Sequence, residues 1–177
     1  MQVLKHKLVL VGLVLALSGG FFERSAAHDR GAVSGADQLK QFEAGSAAYV
    51  SGEYEAAVEL WAPLADQGDA AAQFLVGAMT ETGEGVRQDY AAAGRWYRKA
   101  ADQGNASAQY NLGMLYTKGL GVPRGYVQAH KWFNLSAAGG YGTVRVLAEM
   151  AQADLAAKMT SAQIAEAQRL ASEWHKK

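Results

Sequence analysis

The sequence predicts an all-α fold, a solenoid of antiparallel helix pairs (α-α repeats) closed by a C-terminal capping helix. Three observations carry this. Residues 69–104 superpose on 105–140 without a gap, and twelve positions coincide: Ala70/Ala106, Ala72/Ala108, Gln73/Gln109, Gly77/Gly113, Gly83/Gly119, Gly85/Gly121, Val86/Val122, Tyr90/Tyr126, Ala93/Ala129, Trp96/Trp132, Ala101/Ala137 and Gly104/Gly140. A fixed period of this length marks stacked supersecondary units, each unable to bury its apolar face alone. Within each unit, cap residues and glycines punctuate two helical stretches. Beyond the second full unit, a capping-box signature opens one more helix.

Residues 1–27 have the character of a secretory signal. Lys5 and Lys7 precede the apolar run Leu8–Leu17, and Ser25-Ala26-Ala27 offers small residues for cleavage after Ala27. An uncleaved anchor is the alternative, but the run is short for a bilayer that needs ~20 residues. Cleavage would take Lys5, Lys7, Arg24 and Glu23 from the 17 basic and 17 acidic residues, leaving 14 and 16. That balance argues against nucleic acid as partner. The absence of Cys excludes a disulfide framework, a zinc-thiolate site, a cysteine nucleophile and a lipoprotein anchor.

Residues 28–36 are small and polar, the composition of a flexible lead-in. The repeat domain is expected over 37–177. Its first unit, 37–68, is shorter, turning directly through Ser51-Gly52-Glu53, while Tyr54, Ala57 and Ala65–Gly68 keep the 36-residue register. In units 69–104 and 105–140, Asp69 and Asn105 stand where N-caps belong. Gly83 and Gly119 stand where a left-handed residue ends the first helix. Second helices run from about Asp89 and Gly125 to Gly104 and Gly139-Gly140. Gly77 and Gly113 fall inside first helices, where glycine costs about 1 kcal/mol against Ala. Their recurrence points to close helix approach, with a Tyr or Trp of the neighbouring helix packed into the gap.

After Gly140 the register fades, and residues 141–177 form the cap. A helix is expected over 141–157. Thr160 and Gln163 then have capping-box spacing, and Ile164, Ala167, Ala171 and Trp174 make one apolar stripe.

These residues carry a family resemblance. The pattern A-x-A-Q-[FY]-x-x-G…G-x-G-V…Y-x-x-A-x-x-W…A-A-x-x-G closely resembles the Sel1-like repeat, a relative of the tetratricopeptide repeat. Gly45…Gly52-Glu53-Tyr54…Ala57…Trp61 is similar to the plain tetratricopeptide spacing. Gly125 departs from the pattern, standing where an acidic residue is expected before the Tyr. The resemblance implies a right-handed superhelix of helix pairs that binds proteins or peptides, in small members found in the bacterial periplasm or secreted.

Chemistry is sparse in the chain. The Gly-x-Gly loops lack the preceding strand and the third glycine of a dinucleotide fingerprint. Neither Ser-x-x-Lys nor Gly-x-Ser-x-Gly occurs, so neither acylating-serine signature is present. His130 falls at a variable position on a second helix and reads as solvated or partner-facing. Arg95, Arg98 and Lys99 read as a solvated face, Asn105 as a cap rather than a glycosylation acceptor, and Trp61, Trp96, Trp132 and Trp174 as a packing spine. No catalytic, cofactor or metal residue is assigned, and the chain is expected not to be an enzyme. A monomer is the working expectation.

By the resemblance, partner binding would fall on the concave face built from first helices. Register places Ser107, Tyr110, Asn111, Met114 and Lys118 there, with Ala71, Phe74, Leu75, Ala78 and Thr82 one unit earlier and Ser46 and Tyr49 in the first unit. Phe74 and Tyr110 could equally complete the interhelix core. The expected role is a non-enzymatic periplasmic adaptor or regulator holding a protein or peptide; the alternative is an envelope enzyme acting on peptidoglycan or a β-lactam.

Overall fold

A computed structural model describes residues 35–174, which form eight helices and no strand among the described residues. They are α1 (Gly35–Ser51), α2 (Tyr54–Asp66), α3 (Ala70–Thr82), α4 (Tyr90–Asp102), α5 (Ala106–Lys118), α6 (Tyr126–Gly139), α7 (Gly142–Ala156) and α8 (Ser161–Trp174). The signal segment and most of the lead-in lie outside the described residues. Gly35 and Ala36, expected in the lead-in, are the first residues of α1.

Local chemistry sets the boundaries where the sequence placed them. Asp69 accepts a hydrogen bond from the Ala72 amide, and Asn105 does the same for Ala108. Asp89 holds both the Ala91 and Ala92 amides. Each bond satisfies a donor that has no partner inside its own helix. Gly83 and Gly119 end α3 and α5 in the left-handed region, with φ of 79° and 72°. Thr160 and Gln163 cap α8 reciprocally: the Thr160 amide donates to Gln163 Oε1 and the Gln163 amide to Thr160 Oγ1.

Packing is serial. Each helix from α1 to α7 lies against its neighbours in sequence, and α5 also meets α7. The hairpins therefore nest as a solenoid rather than around one central core. In each hairpin an aromatic ring of the second helix lies on bare backbone of the first. A Cβ at Gly77 would stand 2.9 Å from Tyr97 Cδ1, and one at Gly113 would stand 2.6 Å from Phe133 Cε1. Trp61 fills the same place against Gly45. The expected Tyr or Trp is thus met at Gly77, whereas Gly113 is covered by a phenylalanine.

The packing spine differs in part from the four tryptophans. Trp61, Tyr97 and Phe133 occupy one register position and are fully buried. Trp96 and Trp174 are half-buried, and only Trp132 joins Trp61 inside. The core position tolerates any large ring, so identity matching landed on its neighbour in sequence.

Successive units are stitched by a repeated polar bond. Gln73 Nε2 donates to the Ala65 carbonyl at 3.0 Å, and Gln109 Nε2 donates to the Ala101 carbonyl at 3.1 Å. Both side chains are buried. Each adds a side-chain bond to a carbonyl that already accepts the Gly68 or Gly104 amide, and so ties the next unit's first helix to the end of the preceding helix while keeping the buried amide partnered. The second glycine of each Gly-x-Gly loop has a steric reason as well. A Cβ at Gly85 would run into the Tyr54 backbone, and one at Gly121 into that of Tyr90. The loops join the two helices of a unit and pack against the start of the preceding unit's second helix.

α7 starts 36 residues after α5 and so continues the first-helix register through the region where identities fade. α8 then packs back onto α6. Trp174 meets Trp132 edge-on with centroids 6.5 Å apart, and Ala171 enters the core. The terminal helix thereby covers apolar surface that a further hairpin would otherwise bury.

Candidate functional site

The face expected to bind a partner can be built from the glycine register. Gly45, Gly77 and Gly113 are equivalent, being the positions on which the rings rest. Relative to Gly113, the predicted residues Ser107, Tyr110, Asn111, Met114 and Lys118 keep their positions on α5, and Ala71, Phe74, Leu75, Ala78 and Thr82 match them on α3. On α1 the offset is 32 rather than 36, because the α1–α2 turn lacks four loop residues. Ser46 keeps its place on that register, equivalent to Ala78. Tyr49 does not: Val50 takes the position, and Tyr49 is buried with its hydroxyl donating to Glu84 Oε2.

Burial divides the set. Phe74, Leu75, Ala78 and Ser107 are buried in the interior. Phe74 stacks on Tyr97 at 6.0 Å between centroids, so of its two possible roles the core is the one observed. Ser46, Ala71, Tyr110, Asn111 and Met114 are half-buried, and Thr82 and Lys118 are exposed. Tyr110 leans on Phe133 at 5.7 Å, and partial burial pushes its phenol pKa up. It serves the core with one side of the ring and stays reachable.

Asn111 is held by the fold. Its Nδ2 donates to the Tyr97 hydroxyl at 3.0 Å, and that hydroxyl donates to Glu81 Oε2 at 2.6 Å. The chain of bonds joins α3, α4 and α5 just beneath the face. Desolvation first, then the Glu81 carboxylate, drives the Tyr97 pKa well above that of a free phenol. Asn111 Oδ1 bonds no described residue and remains an acceptor.

The same register picks out residues that the sequence reading missed. Its positions on α1 include Leu39 and Val50, and those on α7 include Val146 and Met150. All four are exposed, Val50 by 61% and Met150 by 60%. The fifth large exposed hydrophobic among the described residues, Tyr141, sits at the α7 N-cap position. End helices expose apolar surface on any face that lacks a neighbour. Val146 and Met150 fall at the positions of Tyr110 and Met114, and Leu39 and Val50 at those of Ser107 and Lys118. The signals in the sequence were the Gly45–Gly77 spacing for α1 and the Met114/Met150 match at 36 residues for α7.

His130 requires a correction. It is 2% exposed, its Nδ1 finds no hydrogen-bond partner, and desolvation lowers its pKa. The expected solvated position is covered because α6 is packed by α5, α7 and α8 together. Arg98 is also no simple solvated group: Nη2 donates to the Tyr116 hydroxyl at 2.9 Å, and the guanidinium lies 4.9 Å over the Trp132 ring.

Five side-chain hydroxyls are engaged by the backbone. Ser46, Thr80, Thr82 and Thr117 donate to backbone carbonyls one turn back, and Ser136 donates to the Ala106 carbonyl. Among the described residues no group of three His, Asp or Glu could hold a metal ion, and no helix is long and apolar enough to cross a membrane.

Comparison with known proteins agrees with this architecture. The Sel1 repeat family model matches residues 42–69, 70–105 and 106–141. One similar solved structure is c5321, a protective antigen present in uropathogenic Escherichia coli strains displaying an SLR fold. It is 33% identical with a TM-score of 0.73, and the alignment covers 80% of this chain and 30% of that one. Another is a Sel1 repeat protein from Oxalobacter formigenes, 32% identical with a TM-score of 0.59, covering 73% and 54% respectively. The chain thus spans about a third and about half of the lengths of these two relatives. No curated protein matches it.

Proposed function

The chain belongs to the Sel1 repeat family, whose members are generally protein-interaction modules, and we propose that it is a non-enzymatic adaptor or regulator of the bacterial envelope. It holds a protein or peptide segment along the first-helix face. The observation that carries this reading is the set of exposed Leu39, Val50, Val146 and Met150 with half-buried Tyr110 and Met114, all at first-helix positions equivalent to those of the expected face. Four of the five large exposed hydrophobics among the described residues belong to this face, and exposed apolar patches mark interaction sites. Thioether and aliphatic side chains beside one amide acceptor suit the apolar stripe of an amphipathic helix or an extended peptide. The signal character of residues 1–27 supports a periplasmic or secreted location, and the likeness to a bacterial protective antigen is in keeping with it.

The test is site-specific crosslinking in the native envelope. A photo-crosslinking residue at the exposed position 118 should trap one protein species. The combined variant Tyr110→Ala, Met114→Ala and Val146→Ser should lose that species while helicity by circular dichroism is unchanged. Asn111 is left intact in this variant because it also supports Tyr97. Undiminished trapping by the triple variant would refute the assignment.

A further inference from the structure

We propose that the cleft between α4 and the α5–α6 loop is a second binding site, taking an acidic peptide segment that inserts one apolar side chain between its carboxylates. The cleft is an open groove of about 460 Å³. Its apolar lining includes Leu112 and Val122, with the buried Gly94 beside Val122. Its rim carries Arg95, Arg98 and Lys99, and no acidic residue lines it.

The three cations are not consumed by the fold. None forms an ion pair with a described residue. Asp89 feels the charge of Arg95, but the carboxylate is tied to the Ala91 and Ala92 amides. Arg98 lies over Trp132 and is bonded to Tyr116, so its guanidinium is held in place. A guanidinium held in this way loses little freedom when it grips a carboxylate. Lys99 is steadied by the Trp96 ring, its Nζ 4.1 Å from the centroid.

Comparison between units removes the repeat as an explanation. Thirty-six residues earlier, Arg95, Arg98 and Lys99 are replaced by Glu59, Ala62 and Pro63, and Ala91 by Glu55. Gly94 is replaced by Val58 in the first unit and by His130 in the third. A Cβ at Gly94 would meet Leu115 and Val122 at 3.5 Å, which is ordinary contact. Packing therefore does not demand a glycine there, although it weakens the middle of a helix. Its effect is to leave the floor of a basic cleft open. Charge complementarity then selects an acidic occupant, and the apolar floor selects one with a side chain to bury. The site shares no residue with the first-helix face.

A labelled, blocked peptide with one leucine flanked by glutamates on both sides tests this, with fluorescence anisotropy and the purified chain at low ionic strength. Saturable binding is expected. It should weaken by about tenfold or more in the double variant Arg95→Glu, Lys99→Glu, both exposed positions, and similarly in Gly94→Val. It should persist in the first-helix variant Tyr110→Ala, Met114→Ala, Val146→Ser. The proposal is overturned by no binding, by equal binding of a leucine-free glutamate peptide, or by undiminished binding to folded Gly94→Val. Tighter binding of an oligonucleotide or an anionic lipid vesicle than of the peptide overturns it equally.

Discussion

Asn111 on α5 hydrogen-bonds the hydroxyl of Tyr97 on α4, and so a residue at the edge of the candidate face is tied to the most deeply buried phenol of the stack. Surface and core are therefore not independent here. A partner that draws on the free Asn111 acceptor pulls on a bond network that also holds Glu81.

Tyr97→Phe removes the centre of that network and leaves the Glu81 carboxylate without its phenol donor. A stability loss of about 1–2 kcal/mol is expected in urea denaturation. The variant also reports on alkaline pH. The folded-state pKa of Tyr97 is raised, so the unfolded chain gives up the proton first. The stabilisation is whole below about pH 10 and falls as pH rises toward the folded value. Unfolding midpoints above pH 10 should therefore decline less steeply in Tyr97→Phe than in the parent. Parallel declines would show that Tyr97 does not contribute.

Gly113→Ala tests the ring-on-backbone packing. The added methyl would stand 2.6 Å from Phe133 Cε1. The gain in helix propensity is about 1 kcal/mol, and crowding a packed core costs about 1–3 kcal/mol. Net destabilisation is expected, with partial recovery in the double variant Gly113→Ala, Phe133→Val. Gly139→Ala is the control, since nothing lies within 4 Å of its Cβ position. Should Gly113→Ala prove as stable as the control, the glycine has no packing role.

These two cases mark what a reader of the sequence could see. The caps at Asp69 and Asn105, the loops and the glycines were legible because backbone geometry admits few residue types at such positions. The ring opposite Gly113 was legible as a large side chain but not as phenylalanine, since any ring of suitable size fills the gap. The division of the candidate face was not legible. Phe74 and Tyr110 share one register and differ in burial because the helices around them differ, which is a property of packing between units. Val146 and Met150 were hidden for the opposite reason: α7 keeps the spacing of α5 while almost all of its identities have changed.

Burial of His130 predicts a loss of stability in mild acid. Its pKa is lowered by burial, so the unfolded chain takes up the proton first as pH falls. The contribution is whole above about pH 6.5 and is lost as pH drops through the folded value. His130→Leu should flatten the stability profile below pH 6.5. At neutral pH it should cost nothing or stabilise by up to about 1 kcal/mol, because an unpartnered buried nitrogen is removed. Thermal unfolding across pH 5 to 8 decides, and an unchanged acid slope would exclude His130 as its source.

The start of α6 can be improved, and the way it can be improved follows from α4. Asp89 and Gly125 occupy equivalent N-cap positions with nearly the same backbone, φ −151° and ψ 103° against φ −160° and ψ 105°. Asp89 caps two amides with its side chain, whereas α6 has no side-chain cap. A Cβ at Gly125 would have its nearest neighbours, Pro123 O and Tyr116 Cδ1, at 3.9 Å, so there is room for a side chain. The extended φ suits an L residue, and a carboxylate at a helix start also meets the positive end of the helix dipole. Gly125→Asp should therefore raise stability by about 1 kcal/mol, with Gly125→Ala gaining less because it supplies no acceptor. Equal midpoints for the two variants in urea would mean that the gain comes from the unfolded chain alone and that no cap has formed.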